Sequence, residues 1–173
     1  MVNDNKLSAT LIAGHYGTIR FGDFLQSADQ CIYRVTFSMP QFQAAFVGVG
    51  FVTRDYVEWT HSNFNLCESD CAYVYGNGFY RLSKEFQELN KQWGSTVSCP
   101  PFADSEVADG AFYVEVNTFT MTAYISCIDR SAAEQSILFT FKLYLPEEVA
   151  IVIDAGDEAQ PIVVKEQSFA YYP

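Results

Sequence analysis

The chain has 173 residues, 49% of them hydrophobic and 16% aromatic, which predicts one folded domain across residues 1–173 and not a disordered chain. Its formal net charge is −11, from 10 basic and 21 acidic residues. Because phosphate binding needs a basic stripe to displace counterions, this charge makes nucleic acid and anionic membranes poor candidates as partners. A basic or neutral peptide is electrostatically easier, although the acidity also serves solubility alone.

The five cysteines and the first residues bear on the cellular compartment. The residues after Met1 are polar and lack the apolar stretch of a secretory signal. No apolar run reaches the roughly 18 residues of a membrane span, so we expect no membrane insertion. We therefore predict a cytoplasmic protein with reduced thiols.

The first predicted elements are short strands. Residues 1–10 form a polar lead-in, 11–13 open a strand, and Thr18–Phe21 alternates as another. Cys31–Phe37 shows the period-two alternation of a half-buried strand. Its two faces carry Cys31, Tyr33, Val35 and Phe37 on one side and Ile32 and Arg34 on the other.

Glycines mark the next pair of strands. Pro40 is predicted to end the preceding strand, and Phe42–Val52 to form a long central one. Its Val-Gly-Val-Gly run predicts that something large lies across the glycines, because only glycine permits so close an approach. Ala72–Tyr75 is the next strand, and Gly76–Gly78 suits a tight hairpin turn that needs positive φ angles.

Residues 83–92 break this pattern. Phe86 and Leu89 lie three apart among helix formers, with Ser83 as N-cap and Glu85 in the first turn. We expect one or two helical turns there, as a surface insertion and not a core element.

The second half returns to strands. They are predicted at Ala111–Asn117, Thr120–Ile128, Ser136–Leu145, Val149–Asp154 and Pro161–Lys165, with a loop at Asp129–Gln135. About ten short strands separated by turns predict an all-β fold, an antiparallel two-sheet β-sandwich of the jelly-roll or concanavalin-like kind.

Catalytic and metal-binding patterns are weak. Cys67 and Cys71 with His61 and Cys99 lack the paired spacing of structural zinc sites, which favours free cysteines and no metal. The two histidines lie in unremarkable turn and loop contexts, and there is no Gly-x-Ser-x-Gly elbow. A glycosidase would need a second acid facing Glu115, which the strand lacks. We predict no enzyme and no cofactor.

The loop Thr53–Asn63 is the other candidate for a functional segment. It holds Arg54, Tyr56 and Trp59, residue types that often anchor protein interfaces. The two aromatic residues could equally fold back onto the edge of the sandwich as part of its core. Both interpretations stay open.

An ordered series of segments resembles the SPRY domain family, β-sandwiches that grip peptides of other proteins. The matching segments are Cys31–Phe37, Phe46–Gly50, Ser69–Leu82, Ala108–Asn117 and Leu145–Asp154. Phe46–Gly50 is similar to the family's Val-Gly-Val strand, and Ser69–Leu82 resembles its Tyr/Trp-rich stretch before a glycine turn. The chain departs from the family at Ile128–Ser131, where members usually carry Phe-x-x-Asn-Gly, and at Asp109-Gly110, which reverses the usual order.

The resemblance implies non-enzymatic recognition of a short protein or peptide segment by a preformed aromatic pocket in the edge loops of the sandwich. Carried over by position, the implied binding residues are Arg54, Asp55, Tyr56, Val57, Trp59, Tyr73, Tyr75, Asp129 and Arg130. Either tyrosine of the strand could instead belong to the core.

Two other functions compete with peptide recognition. In a carbohydrate-binding sandwich, Tyr56, Trp59 or Trp93 would stack on a sugar ring. In a structural assembly module, the aromatic surface would dock onto a fixed partner.

Overall fold

The structure, a computed structural model, describes residues 8–10, 17–42, 47–54, 71–75, 80–91, 107–130, 136–155 and 161–171. The strands are β1 Ser8–Thr10, β2 Gly17–Gln26, β3 Cys31–Phe42, β4 Val47–Val52, β5 Cys71–Tyr75, β6 Tyr80–Leu82, β7 Val107–Asn117, β8 Thr122–Asp129, β9 Ser136–Tyr144, β10 Glu148–Ala155 and β11 Pro161–Tyr171. A short 3-10 turn, Ser27–Asp29, follows β2, and one α-helix, α1, covers Lys84–Lys91.

The strands form two antiparallel sheets. The six-stranded sheet has the order β1-β11-β3-β7-β8-β9, and the five-stranded sheet has the order β2-β10-β4-β5-β6. This confirms the predicted all-β, two-sheet sandwich with one short helix. No helix within the described ranges is long and apolar enough to cross a membrane.

The alternation in β3 decides which residues enter the core. Tyr33, Val35 and Phe37 are buried between the sheets, whereas Ile32 and Arg34 on the opposite face are only half-buried. The predicted faces of this strand are therefore confirmed. The core is filled by large side chains from both sheets, including Phe51, Phe112, Ile125, Phe141 and Ile151. Each such burial stabilises the fold by about 1.5–3 kcal/mol.

Pro40 does not end β3, contrary to the prediction. The strand continues to Phe42, with Pro40 opposite Asp109 and Phe42 opposite Val107 of β7. The pairing of β3 with β11 extends only as far as Ser38. Among the described strands, β3 has a single partner beyond Ser38, and proline is tolerated in a sheet where one neighbouring strand is missing. Phe42 thus belongs to β3, and β4 begins at Val47.

Gly50 of β4 accommodates the neighbouring strand of its own sheet. It lies opposite Tyr73 of β5. A Cβ at this position would overlap the Ala72 carbonyl oxygen and lie 2.8 Å from Cδ1 of Tyr73. The close approach predicted at this strand is therefore seen at Gly50, where the Ala72 carbonyl group lies nearest and the Tyr73 ring next.

The helix contributes to the core, so its description as a surface insertion is wrong. Its bounds lie within one residue of the prediction at each end. Phe86 is fully buried in the core cluster, and Asn90 is buried as well. The helix lies beside β6 and β9, the edge strands of the two sheets on this side. One face of α1 therefore closes the space between the sheets.

The cysteines differ in state. Cys71 is disulfide-bonded, whereas Cys31 and Cys127 are free and buried. Burial raises the pKa of the Cys127 thiol to about 12, which keeps it protonated and unreactive in the folded protein. The expectation of reduced thiols therefore does not hold at Cys71.

Two glycine substitutions separate steric from conformational constraint. Gly22 has φ +74° and open space around it, so Gly22→Ala should lower the free energy of unfolding by about 1 kcal/mol through backbone strain alone. Gly50→Ala should lower it by more, because the added methyl overlaps a backbone carbonyl that cannot move without disturbing the pairing of β4 with β5. Urea unfolding measures both, and equal or reversed effects would contradict this account of Gly50.

Alkylation tests the disulfide. In denaturant without reductant, iodoacetamide should modify Cys31 and Cys127 but leave Cys71 unmodified. Prior reduction should make Cys71 react as well. Mass spectrometry of a tryptic digest reads out each site, and modification of Cys71 in the unreduced sample would show that no disulfide forms there.

Candidate functional site

The end of the five-stranded sheet that follows Val52 holds a cluster around Arg54, here called the Arg54 corner and made of Arg20, Phe24, Arg54 and Glu148. Arg54 Nε donates to Glu148 Oε2 at 2.8 Å, and its Nη2 donates to Glu148 Oε1. The Arg54 guanidinium also lies 4.5 Å from the centroid of the Phe24 ring, and that of Arg20 lies 5.4 Å from the same ring. A bidentate ion pair and a ring contact thus fix the Arg54 head group.

The strand register places these residues together. Val52 of β4 lies opposite Ala150 of β10. Arg54 and Glu148 lie two residues further along, so they meet on the same outer face. Phe24 comes from β2, the other neighbour of β10. The corner therefore depends on three strands that are distant in sequence.

The ion pair shifts both ionisation equilibria. The hydrogen bond from Arg54 lowers the pKa of Glu148, and the hydrogen bond to Glu148 raises the pKa of Arg54. The Arg54 side chain remains 65% exposed and that of Glu148 is 29% exposed. A charged donor is thus held in one geometry while most of it stays accessible to a partner.

Tyr73 lies on the same face but serves packing. It is 5% exposed and belongs to a second buried cluster on the outer face of the sheet, with Val52, Cys71, Ala150 and Val152. Phe24 packs against this cluster. The backbone of Tyr75 lies in β5 opposite Gly48, and its side chain is outside the described part.

Asp129 and Arg130 lie at the other end of the sandwich. Asp129 pairs with Gly110, and Gly110 pairs with Met39 of β3. The Arg54 corner is at the Cys31 end of β3, because β2 ends at Gln26 opposite Glu148 and β3 begins shortly afterwards. The length of β3 between them corresponds to about 27 Å. The structure therefore does not bring Asp129 or Arg130 together with Arg54.

Arg130 has a contact of its own at that far end. Its Nη1 donates to Ser38 Oγ at 3.3 Å. Asp55, Tyr56, Val57 and Trp59 lie outside the described residues, as do His61, Cys67, Trp93 and Cys99. Their predicted roles stay predictions.

Sequence reasoning missed an exposed aromatic pair at the end of β11, here called the aromatic ledge. Phe169 is 47% exposed and Tyr171 is 70% exposed. Their rings stack with centroids 6.1 Å apart and an interplanar angle of 12°, and Phe169 also contacts Tyr33 at 4.5 Å. The alternation of Ser168, Phe169, Ala170 and Tyr171 was the available signal, but the last strand was predicted to end at Lys165.

The outer face of the six-stranded sheet carries a polar network. Arg34 Nε donates to Glu115 Oε2 at 2.7 Å, and the Tyr113 hydroxyl donates to the same oxygen at 3.1 Å. The Lys142 ammonium lies 5.5 Å from the Tyr124 ring centroid. Arg34–Glu115 and Lys142–Tyr124 are cross-strand pairs of the kind that stabilise an exposed sheet face, whereas Tyr113 and Glu115 are neighbours on one face of β7.

Metal binding has no support in the described part of the chain, where no group of three or more His, Cys, Asp or Glu side chains is placed to hold an ion.

Comparison with known proteins yields structural likeness only. No family model and no curated protein sequence matches the chain. The basic winged bean lectin with Tn-antigen is similar in structure, with TM-score 0.51 and 15% identity over 97% of this chain and 87% of the lectin. Arcelin-5, a lectin-like defense protein from Phaseolus vulgaris, gives TM-score 0.52 and 11% identity over 97% of this chain and 82% of that one.

The TRIM65 PSpry domain also matches, with TM-score 0.49 and 9% identity over 87% of this chain and 69% of the domain. At these identities, the lectin likenesses show a shared sandwich fold and nothing finer.

The lowered pKa of Glu148 gives a direct test of the corner. Because the pKa of Glu148 is lower in the folded state, the ion pair stabilises the fold fully at pH values above the ordinary glutamate pKa. This stabilisation is lost as the pH falls through the lowered pKa. Carboxyl NMR should show Glu148 titrating below the ordinary range. Arg54→Ala should raise its pKa towards that range, whereas Arg20→Ala, which removes a neighbouring cation without a bond to Glu148, should change it far less.

Proposed function

We propose that this protein is a non-enzymatic binding module that recognises a short segment of a partner protein at the Arg54 end of the sandwich. The observation that carries the proposal is the fixed but exposed Arg54 guanidinium, held by Glu148 and by the Phe24 ring. Arginine is enriched among the residues that dominate binding energy at protein interfaces.

Preorganisation supports this use of the corner. A free arginine side chain loses roughly 0.5–1.5 kcal/mol of rotamer entropy when a partner immobilises it. Here the two bonds to Glu148 already restrict Arg54, so less of that loss falls on association. The donors that do not face Glu148 remain available to a carboxylate or carbonyl group of a partner.

The predicted loop residues fit this proposal through their place in the chain. Asp55, Tyr56, Val57 and Trp59 follow Arg54 directly, and we propose that they form one wall of the site. Tyr73 would support that wall from beneath by packing. Tyr75 stays a proposed contact, and Asp129 and Arg130 would belong to a separate contact at the far end.

Carbohydrate binding is the second candidate. The stacked rings of Phe169 and Tyr171 present an exposed aromatic surface of the kind that suits a sugar ring. Structurally similar proteins include lectins, one of them in complex with Tn-antigen. The disulfide at Cys71 favours an oxidising compartment. The cytoplasmic location predicted from the sequence stays a prediction, as does the assembly-module alternative.

A parallel screen separates these functions. Wild type, Arg54→Ala and Tyr56→Ala/Trp59→Ala should be tested against displayed proteome peptides and a glycan array. Wild type should enrich a short peptide motif, and both variants should lose it, because they remove the fixed cation and the proposed aromatic wall.

The control variant is Lys84→Ala, which removes an exposed positive charge on α1, at the edge formed by β6 and β9. It should retain the motif, and thermal unfolding should show that all variants remain folded. Glycan binding without peptide enrichment would replace the proposed function by carbohydrate binding.

A further inference from the structure

The two sheets overlap unequally. Phe21 of β2 packs edge-on against Phe37 of β3, with ring centroids 5.1 Å apart. On the opposite side, Tyr80 of β6 contacts Phe141 of β9 at 5.2 Å. These contacts place β2 over β3 and β6 over β9, and β11 and β1 continue the six-stranded sheet on the far side of β3.

Burial stops where this overlap stops. Tyr33 of β3 is 3% exposed, whereas its neighbour across the ladder, Phe169 of β11, is 47% exposed. Paired residues of adjacent strands share a face, so Phe169 and Tyr171 lie on the inner face of the six-stranded sheet. The aromatic ledge is thus an uncovered margin of the core.

A free strand edge lies beside this ledge. Among the described strands, β2 pairs only with β10 and ends the five-stranded sheet. Neighbouring strands in any sheet lie about 4.7–4.9 Å apart, so a strand added to β2 would lie over β11 just as β2 lies over β3. One extended segment fits this position and would cover the aromatic ledge.

We propose that the free edge of β2 and the aromatic ledge together bind an extended peptide of a partner protein, which adds a sixth strand to the five-stranded sheet. The inference rests on the proposed function, since it assumes a peptide partner. It adds the mode of binding and the chemistry of the ligand.

The two faces of the sheet dictate the sequence of such a peptide. Every second side chain would point inward to Phe169 and Tyr171 and should be apolar or aromatic. The intervening side chains would lie on the outer face, where Arg20 and Arg54 flank Phe24. A carboxylate suits that side, so the expected ligand alternates apolar residues with at least one Asp or Glu.

The shape of β2 disfavours indiscriminate pairing with a second copy of the chain. Its register with β10 shifts between Phe21 and Leu25, at a bulge that contains Gly22 at φ +74° and an exposed Asp23. Bulges and charges on edge strands prevent regular edge-to-edge association. The bulge acts on any added strand, so a bound peptide has to be stabilised by its side chains on the aromatic ledge as well as by its bonds to β2.

The test uses a library of displayed 12-residue peptides, followed by affinity measurements on the best synthetic binder. Enriched sequences should show the alternation above. Tyr171→Ala should weaken binding about tenfold or more, the ratio that corresponds to 1.4 kcal/mol. Tyr171 is 70% exposed, so this variant should fold normally. Tyr124→Ala, at an exposed tyrosine on the outer face of the six-stranded sheet, is the matched control and should leave affinity unchanged.

Backbone methylation tests strand addition itself. The backbone amides of an extended peptide point alternately towards β2 and away from it. N-methylation of the amides that face β2 should abolish binding, and N-methylation of the amides that face away should be tolerated. Equal tolerance of both sets would overturn the inference, as would glycan binding that Tyr171→Ala removes.

Peptides that Arg54→Ala loses but Tyr171→Ala retains would overturn this inference and leave the proposed function standing. Failure to enrich any peptide would overturn both.

Discussion

Two stacked sheets leave the space between them open at both sides, and the core depends on how each side is closed. On the side of β6 and β9, α1 buries Phe86 in the core. The Asn90 side chain accepts a hydrogen bond from Tyr144 N at 3.0 Å and donates to Tyr144 O at 3.2 Å, so it occupies the edge of β9 as another strand would. On the side of β2 and β11, the described residues leave Phe169 and Tyr171 uncovered. The side closed by α1 is therefore structural, and the open side at β2 and β11 is the one that we propose to bind a peptide.

Local patterns in the sequence predict most of the strands because alternation reflects burial directly. The faces of Cys31–Phe37 followed from its period of two, and the need for glycine followed from the Val-Gly-Val-Gly run. The continuation of β3 beyond Pro40 could not be predicted from the sequence. A proline is tolerated in a strand that has one neighbour and not in a strand that has two, and the number of neighbours depends on the strand order. The role of α1 was misjudged for a similar reason. Its amphipathic pattern shows that one face is apolar, but not that this face meets the gap between two sheets.

The candidate site is still less visible in the sequence, because it is built from strand order. Arg54 and Glu148 are 94 residues apart and meet only because β4 and β10 are neighbours. Phe169 and Tyr171 alternate like core residues, and their exposure arises from the unequal widths of the sheets. The residue type alone made Arg54 a candidate. Its contacts with Glu148 and Phe24 could not be predicted, because they depend on the pairing of β2 and β4 with β10.

The outer face of the five-stranded sheet explains how an acidic protein can present cations in a defined place. Val52, Cys71 and Tyr73 are buried there, so the backbone is anchored just before it reaches Arg54. Arg20 and Arg54, two of only ten basic residues, then share one aromatic ring. At physiological ionic strength, charges beyond about 8 Å are largely screened. The net charge of −11 therefore does not decide which ligand fits this corner. Its four residues carry two guanidinium groups and one carboxylate, and this local positive excess favours an acidic side chain where the global charge alone would favour a basic one.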